Sequence, residues 1–242
     1  MILSPNNLLL SLLPIEQRSA LLRLLEPIAL PVRTLLFEPE RTPHYIHFVT
    51  SGLVSIVTYM KEGEAAEVGL VGNEGIPEGL HLLGPGRLQT NCFLQIAGTA
   101  LRMRYKDFEQ LFQGDEAIRR MVLRFVQFQN VSLSQIAACN RLHEVEERLA
   151  RWLLMVSDRV GGSELHLTQE FLSQMLGARR STVTLVAGSL QRAGLIEYTR
   201  GTVRILDRAQ LENTACECYR ITYDALQRLI QPVVAHNHHG IV

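Results

Sequence analysis

Residues 167–192 read LTQEFLSQMLGARRSTVTLVAGSLQR, and their punctuation decides the fold. Thr168 serves as a side-chain cap for a helix whose first turn holds Gln169 and Glu170. Leu172, Met175 and Leu176 recur at helical spacing and face a core. Gly177 stands where a chain leaving a helix needs a left-handed residue without a Cβ penalty. A second helix starts at about Arg179, with Val183, Val186 and Leu190 as its buried stripe. Its other face presents Arg180, Ser181 and Thr184 at the N-terminal end. One helix braces another, and polar donors cluster where the second begins, as a helix-turn-helix groove reader requires.

The flanks extend this reading. Upstream, His143–Val160 is an amphipathic helix with Val145, Leu149, Trp152, Leu153 and Val156 inward, ended by Gly161-Gly162. Downstream of Gly194, IEYT-RG-TVRIL is two short strands around Arg200-Gly201, a hairpin of wing size. Three helices followed by a hairpin make a winged helix. Its charge suits phosphate: from Thr168 to Arg208 stand Arg179, Arg180, Arg192, Arg200, Arg204 and Arg208 against Glu170, Glu197 and Asp207. The whole chain carries no net charge, so the excess is local.

Residues Ile28–Arg104 have a different texture. Runs rich in Val, Ile, Leu, Phe and Tyr (LPVRTLLF, YIHFVTSGLVSIVTYM, AAEVGLV, NCFLQIAGTALRMRY) alternate with Gly/Pro punctuation. That spacing predicts an antiparallel barrel or jelly roll, with Lys61-Glu62-Gly63-Glu64 as its clearest hairpin loop. Leu12–Leu25 precedes it as one short amphipathic helix, with Pro14 in the first turn. Tyr105–Phe112 is a short helix. A long one follows from about Asp115 to Asn140, with a stripe of Ile118, Met121, Val122, Phe125, Phe128, Ser132 and Ile136. Leu123, Val126 and Leu133 widen its apolar surface. A helix apolar on more than one side buries one side on its own domain and another elsewhere, most simply on its own copy. The stripe from Ile118 to Ile136 is the expected dimer seam. Ala209–Leu229 is helical in pattern, and the tail QPVVAHNHHGIV is expected to be disordered.

The expected class is therefore α+β. A β-roll sensor spans residues 1–113, a dimerisation helix 114–141, a winged helix-turn-helix 142–212, and a C-terminal helix with its tail 213–242. With 242 residues, 47% of them apolar, the chain is long enough to bury the cores this requires. No run of about 18 apolar residues is available for a membrane span, and the N-terminus lacks the basic region and cleavage site of a signal peptide. A cytoplasmic protein is expected.

This order of parts resembles the cyclic-AMP receptor protein / fumarate-nitrate regulator (Crp/Fnr) family of bacterial transcription factors. The likeness is strongest in L-T-Q-E…Q-M-L-G-x-x-R-x-T-V and weaker in YIHFVTSGLVSIV. It implies a homodimer on double-stranded DNA that also touches RNA polymerase. It further implies that Arg180 bonds a guanine while Thr168 and Thr182 touch phosphates. Gln169, Arg179 and the wing's Arg200 join these as expected backbone contacts, and Ser181 and Thr184 join Arg180 in base reading. The cyclic-AMP readers of the family carry an acid one residue after that arginine and a second arginine five after it. Here these positions hold Ser181 and Leu185, so the code differs at neighbouring bases; Leu185 can at most touch a thymine methyl.

The sensor departs further. The family's phosphate cassette is a G-E-L turn followed by an Arg-Ser pair. The turn here resembles Glu78-Gly79-Leu80, but Thr90 and Asn91 occupy the pair's place, and neither neutralises a phosphate. Arg87 lies three residues earlier, and Ser134 falls near a purine-contacting position. These seven residues form the candidate effector pocket, with cyclic AMP disfavoured as its ligand. An iron–sulfur cluster of the family's N-terminal type is not expected, because no cysteine precedes Cys92. Cys216-x-Cys218, His236, His238 and His239 raise a metal reading. On one helix, however, positions i and i+2 lie about 200° apart, and no metal site is expected. Cys139 alone reads as a small buried hydrophobe or a redox switch. Glu78, His81 and Asn91 make no nucleophile–base set, so no enzyme is expected. The other reading is a signalling module whose winged helix contacts protein rather than DNA.

Overall fold

The structure, a computed structural model, describes residues 6–62, 65–84 and 87–231. The N-terminal segment forms two short helices, α1 (Leu8–Ser11) and α2 (Ile15–Leu22). Pro14 takes the N-cap place of α2 with ψ 151°, so the single helix expected over Leu12–Leu25 is divided at the proline. Asn7 anchors this segment, its Nδ2 donating to the carbonyls of Val49 (2.9 Å) and Gly75 (3.0 Å).

Five strands follow: β1 (Glu26–Leu30), β2 (Leu35–Phe37), β3 (Tyr45–Tyr59), β4 (Ala65–Val71) and β5 (Thr90–Arg104). They pair antiparallel in the order β1-β5-β3-β4, with β2 also on β5. The run LPVRTLLF is two segments rather than one strand, broken where Arg33 takes a positive φ of 68°. β3 and β5 have 15 residues each and bend together at register shifts between Val49 and Val54. Gly52 (φ 84°) sits at the bend, where an added Cβ would lie 2.7 Å from the Ile96 carbonyl oxygen. β3 and β4 flank the expected Lys61–Glu64 loop as antiparallel neighbours, although Gly63 and Glu64 lie outside the described residues.

A 3-10 turn (Gly79–Leu83) precedes β5, and α3 (Tyr105–Gly114) follows it. Asp115 then caps α4 (Glu116–Leu142), its carboxylate accepting from the Ile118 amide at 2.9 Å. The winged helix comprises α5 (Val145–Val160), β6 (Glu164–His166), α6 (Gln169–Leu176), α7 (Arg180–Arg192), β7 (Ile196–Thr199) and β8 (Thr202–Ile205). Its sheet runs β6-β8-β7, so the wing carries one strand more than the hairpin expected.

The chain ends in α8 (Arg208–Thr214) and α9 (Cys218–Ile230), not in one continuous helix. Ala215, at ψ 145°, breaks the run. Cys216 therefore lies outside any helix while Cys218 opens one, and the 200° separation argued for i and i+2 does not hold. The tail, with His236, His238 and His239, lies outside the described residues.

Packing of α4 revises the expected dimer seam. Ile118, Met121, Val122, Phe125 and Phe128 are buried in the β-roll's own core, together with Phe48, Val71 and Ile76. Ile136 is buried as well, and Ser132 is half-buried. Phe125 occupies the space beside Gly75 so closely that a Cβ there would overlap its ring. The widest apolar stripe is thus the intramolecular one. A flank of the helix carries Arg119, Leu123, Val126, Asn130, Leu133, Ala137 and Asn140, spaced alternately four and three residues apart; of these, Val126 packs against the β-roll core. That is the heptad spacing of a two-stranded seam. Leu123 (46%) and Leu133 (43%) are exposed on it.

Candidate nucleic-acid interface

The helix pair is built by the local chemistry of its sequence. The Thr168 hydroxyl accepts from the Phe171 amide at 3.1 Å, and Gly177 adopts φ 55°, ψ 40°. Leu172, Met175 and Leu176 are buried, as are Val183, Ala187 and Leu190; Val186 is half-buried, so Ala187 takes the inner place expected of it. These side chains share one core with Trp152, Leu153 and Val156 of α5 and with Val203 of the wing.

Arg180 is the first residue of α7, and among the described residues its guanidinium has only a 3.9 Å approach to Glu170. Ser181 is exposed beside it, and Leu185, at 72% exposure, is a large apolar side chain presented to solvent. Arg179 takes the N-cap place but supplies no side-chain cap. The first amides of α7 thus receive no side-chain cap, and an uncapped helix start suits an anion. Thr184 is more engaged than expected: its hydroxyl lies 2.9 Å from both Gln169 Oε1 and the Arg180 carbonyl. Thr184 and Gln169 thus lock α6 to α7. Thr182 is half-buried.

The wing turn at Arg200 (φ 51°) and Gly201 (φ 81°) has two consecutive positive φ values, the signature of a type I′ hairpin. Arg200 pays the non-glycine strain of that position and projects from the tip, exposed. Thr168 is exposed. It lines a cavity of about 550 Å3 whose other wall is the β-roll, including Arg33, Leu35 and Tyr59.

The expected effector residues do not share a pocket. Glu78 is fully buried and committed to His47, accepting from its amide at 3.0 Å and lying 2.7 Å from Nδ1. Gly79 packs under Phe125 and Val126. Leu80 is partly exposed. Arg87 lines a cavity of about 710 Å3 with Glu40, Arg41, His81, Tyr105 and Lys106. Asn91 lines the other cavity, facing α6, while Thr90 pairs with Thr58 at the strand edge. Ser134 is exposed on α4, 3.5 Å from Asn130 Oδ1. The expected cassette thus corresponds to a packed corner, because His47 and Phe125 occupy its polar and apolar sides. His81 lines the same cavity as Arg87, a position its sequence context does not mark. Its ring nitrogens have no partner among the described residues, and burial holds its pKa below the ordinary histidine range.

Residues 28–115 match the family model described as a cyclic nucleotide-binding domain, and residues 147–214 match that of a Crp-like helix-turn-helix domain. The chain belongs to the Crp/Fnr family. No match is found among curated proteins. Solved Crp/Fnr structures share its fold. A family member from Eubacterium rectale superposes with a TM-score of 0.67 at 16% identity, covering 84% of this chain and 94% of that one. The c-di-GMP-responsive global regulator CLP of Xanthomonas campestris gives 0.66 at 19%, covering 80% and 100%. FixK2 of Bradyrhizobium japonicum gives 0.67 at 14%, covering 79% and 98%. Crp/Fnr proteins are transcriptional regulators rather than enzymes, and their helix-turn-helix binds DNA. Among the described residues no helix is long and apolar enough to cross a membrane.

Proposed function

We propose that this Crp/Fnr regulator binds an inverted-repeat operator as a homodimer, with α7 in the major groove of each half-site. The observation that carries this reading is the exposed row Arg180, Ser181 and Leu185 on the outer face of α7, with the Arg200 wing tip on the same domain. Arg180 reads a guanine through its N7 and O6. Leu185 packs on a thymine methyl. Arg179, Thr182, Arg200 and the first amides of α7 hold phosphates. Two-fold pairing through Leu123, Leu133 and Ala137 sets the half-sites about 34 Å apart.

Control comes through the β-roll by an effector other than cyclic AMP. Supporting this, Glu78 is already paired with His47, and the Thr90-Asn91 positions carry no cation. Selection of bound sites from random DNA, with and without cyclic mononucleotides and c-di-GMP, tests both parts. The expected product is a palindrome with one invariant guanine per half-site, unchanged by cyclic AMP. Recovery of unrelated sequences would remove the DNA reading, and a cyclic-AMP requirement would remove the effector reading.

A further inference from the structure

Three of the chain's four cysteines meet at the end of α4. Cys139 lies in the last turns of α4, and His143 follows it by four residues, on the same side of the helix axis. Cys216 and Cys218 come from the break between α8 and α9. The three thiols are buried and form a cluster apart from both hydrophobic cores. With the His143 ring they bring four ligand atoms within 4.8 Å of one another. Cys139 Sγ and Cys216 Sγ are 3.5 Å apart, and Cys218 Sγ is 3.4 Å from His143 Nδ1. A disulfide would need about 2.05 Å. A tetrahedral ion with Zn–S of about 2.3 Å and Zn–N of about 2.0–2.1 Å sets its ligands about 3.6–3.8 Å apart. The two short separations are therefore close to the edges of such a tetrahedron.

We propose that Cys139, His143, Cys216 and Cys218 form a closed, structural site for a single zinc ion.

The surroundings are those of a metal centre rather than of four stray side chains. Glu217 Oε2 lies 3.2 Å from His143 Nε2, the carboxylate that fixes a ligating ring so that its other nitrogen faces the ion. Gln135 Nε2 donates to Cys218 Sγ at 3.1 Å, a bond that a thiolate strengthens. Arg148 and Arg151 are buried, form no ion pair with a carboxylate among the described residues, and have an unpartnered Nε each. Their charges act on Cys139, and that of Arg148 on Cys216 as well. Three thiolates and one divalent ion leave a net negative charge, which compensates guanidinium groups that neutral thiols would leave unpaired. Zinc binding releases the remaining thiol protons to solvent.

The donor set also selects the ligand. Three thiolates and an imidazole disfavour magnesium and calcium, and four protein ligands leave no open position for catalysis. In a four-iron cluster each thiolate binds a different iron, so the sulfurs stand farther apart than these. The ion would tie the α8–α9 junction to the end of α4, where the chain turns into the winged helix.

Elemental analysis of the full-length chain, purified under reducing conditions and dialysed against a weak chelator, should find one zinc per chain. Cobalt substitution should give the intense visible bands of a sulfur-rich tetrahedral site. Cys218→Ser and His143→Ala should lose the metal and lower the melting temperature. His143→Cys should retain it, as should Cys92→Ala and a chain with His236, His238 and His239 changed to alanine. Three results would overturn the assignment: a reduced chain that takes up neither zinc nor cobalt, metal accompanied by acid-labile sulfide, or metal lost with the tail histidines but kept in Cys218→Ser.

Discussion

At the start of α7 the Arg180 guanidinium is exposed and approaches Glu170 only at 3.9 Å. An exposed pair at that distance contributes little to stability, so exchanging the carboxylate for a guanine edge costs the fold almost nothing. Arg180→Ala should weaken operator binding by about 1–3 kcal/mol and relax preference at a single position, measured by fluorescence anisotropy across single-base variants. Equal weakening on every sequence would reassign Arg180 to the backbone. Residue roles were legible in the sequence where the chemistry is local. Thr168 caps the third amide along, and Gly177 supplies a left-handed turn; both need only their neighbours. The Thr184 bond to Gln169 is not legible in this way, because the partner lies across the turn, 15 residues away. The cysteine cluster was hidden for the same reason. Cys139 and Cys216 are 77 residues apart, and their meeting depends on a helix break at Ala215 that composition does not mark.

Among the elements, α4 shows what periodicity can and cannot decide. Its two apolar sides were both visible, but the pattern gives no sign of which one meets the β-roll. The bulkier stripe turned inward because Phe125 fills the volume that Gly75 and Gly79 leave open. Phe125→Arg should unfold the β-roll, since it places a charge in a core where the side chain is fully buried. Leu133→Arg, on the heptad side, should leave the melting temperature nearly unchanged. It should halve the sedimenting mass and lower affinity for a palindromic site on the order of 10²-fold, as the second half-site ceases to be tethered. A Leu133→Arg chain that remains dimeric would place the seam elsewhere. The strands were legible from their Gly/Pro spacing; the bend at Gly52 was not, because it depends on a close approach to Gly98 on another strand.

Across the whole molecule, sensor and reader are joined by two buried polar contacts. Glu74 on the β-roll holds Arg159 of α5 at 2.7 Å. Glu67 on β4 accepts from Trp152 Nε1 at 2.7 Å and from the Ser55 hydroxyl at 2.8 Å. Burial outweighs those hydrogen bonds and the nearby charges of Arg151 and Arg159, and raises the Glu67 carboxyl to about 7. A carboxyl raised on folding favours its protonated form. Its contribution is therefore complete below the ordinary carboxylate range and is lost as pH climbs through about 7. The junction should accordingly loosen between about pH 5 and pH 8. Glu67→Gln, which keeps the shape and stays neutral, should flatten that dependence in thermal melts. An unchanged pH profile in Glu67→Gln would assign the effect to another group.

Trp152, which meets Glu67 at this junction, is the chain's sole tryptophan and is 1% exposed. The protein thus carries its own optical gauge. Emission should be blue-shifted while α5 rests on β4 and should move to the red when water reaches the indole. A titration of effector, operator or protons, followed at that wavelength without any label, would report how far the reader has swung from the sensor.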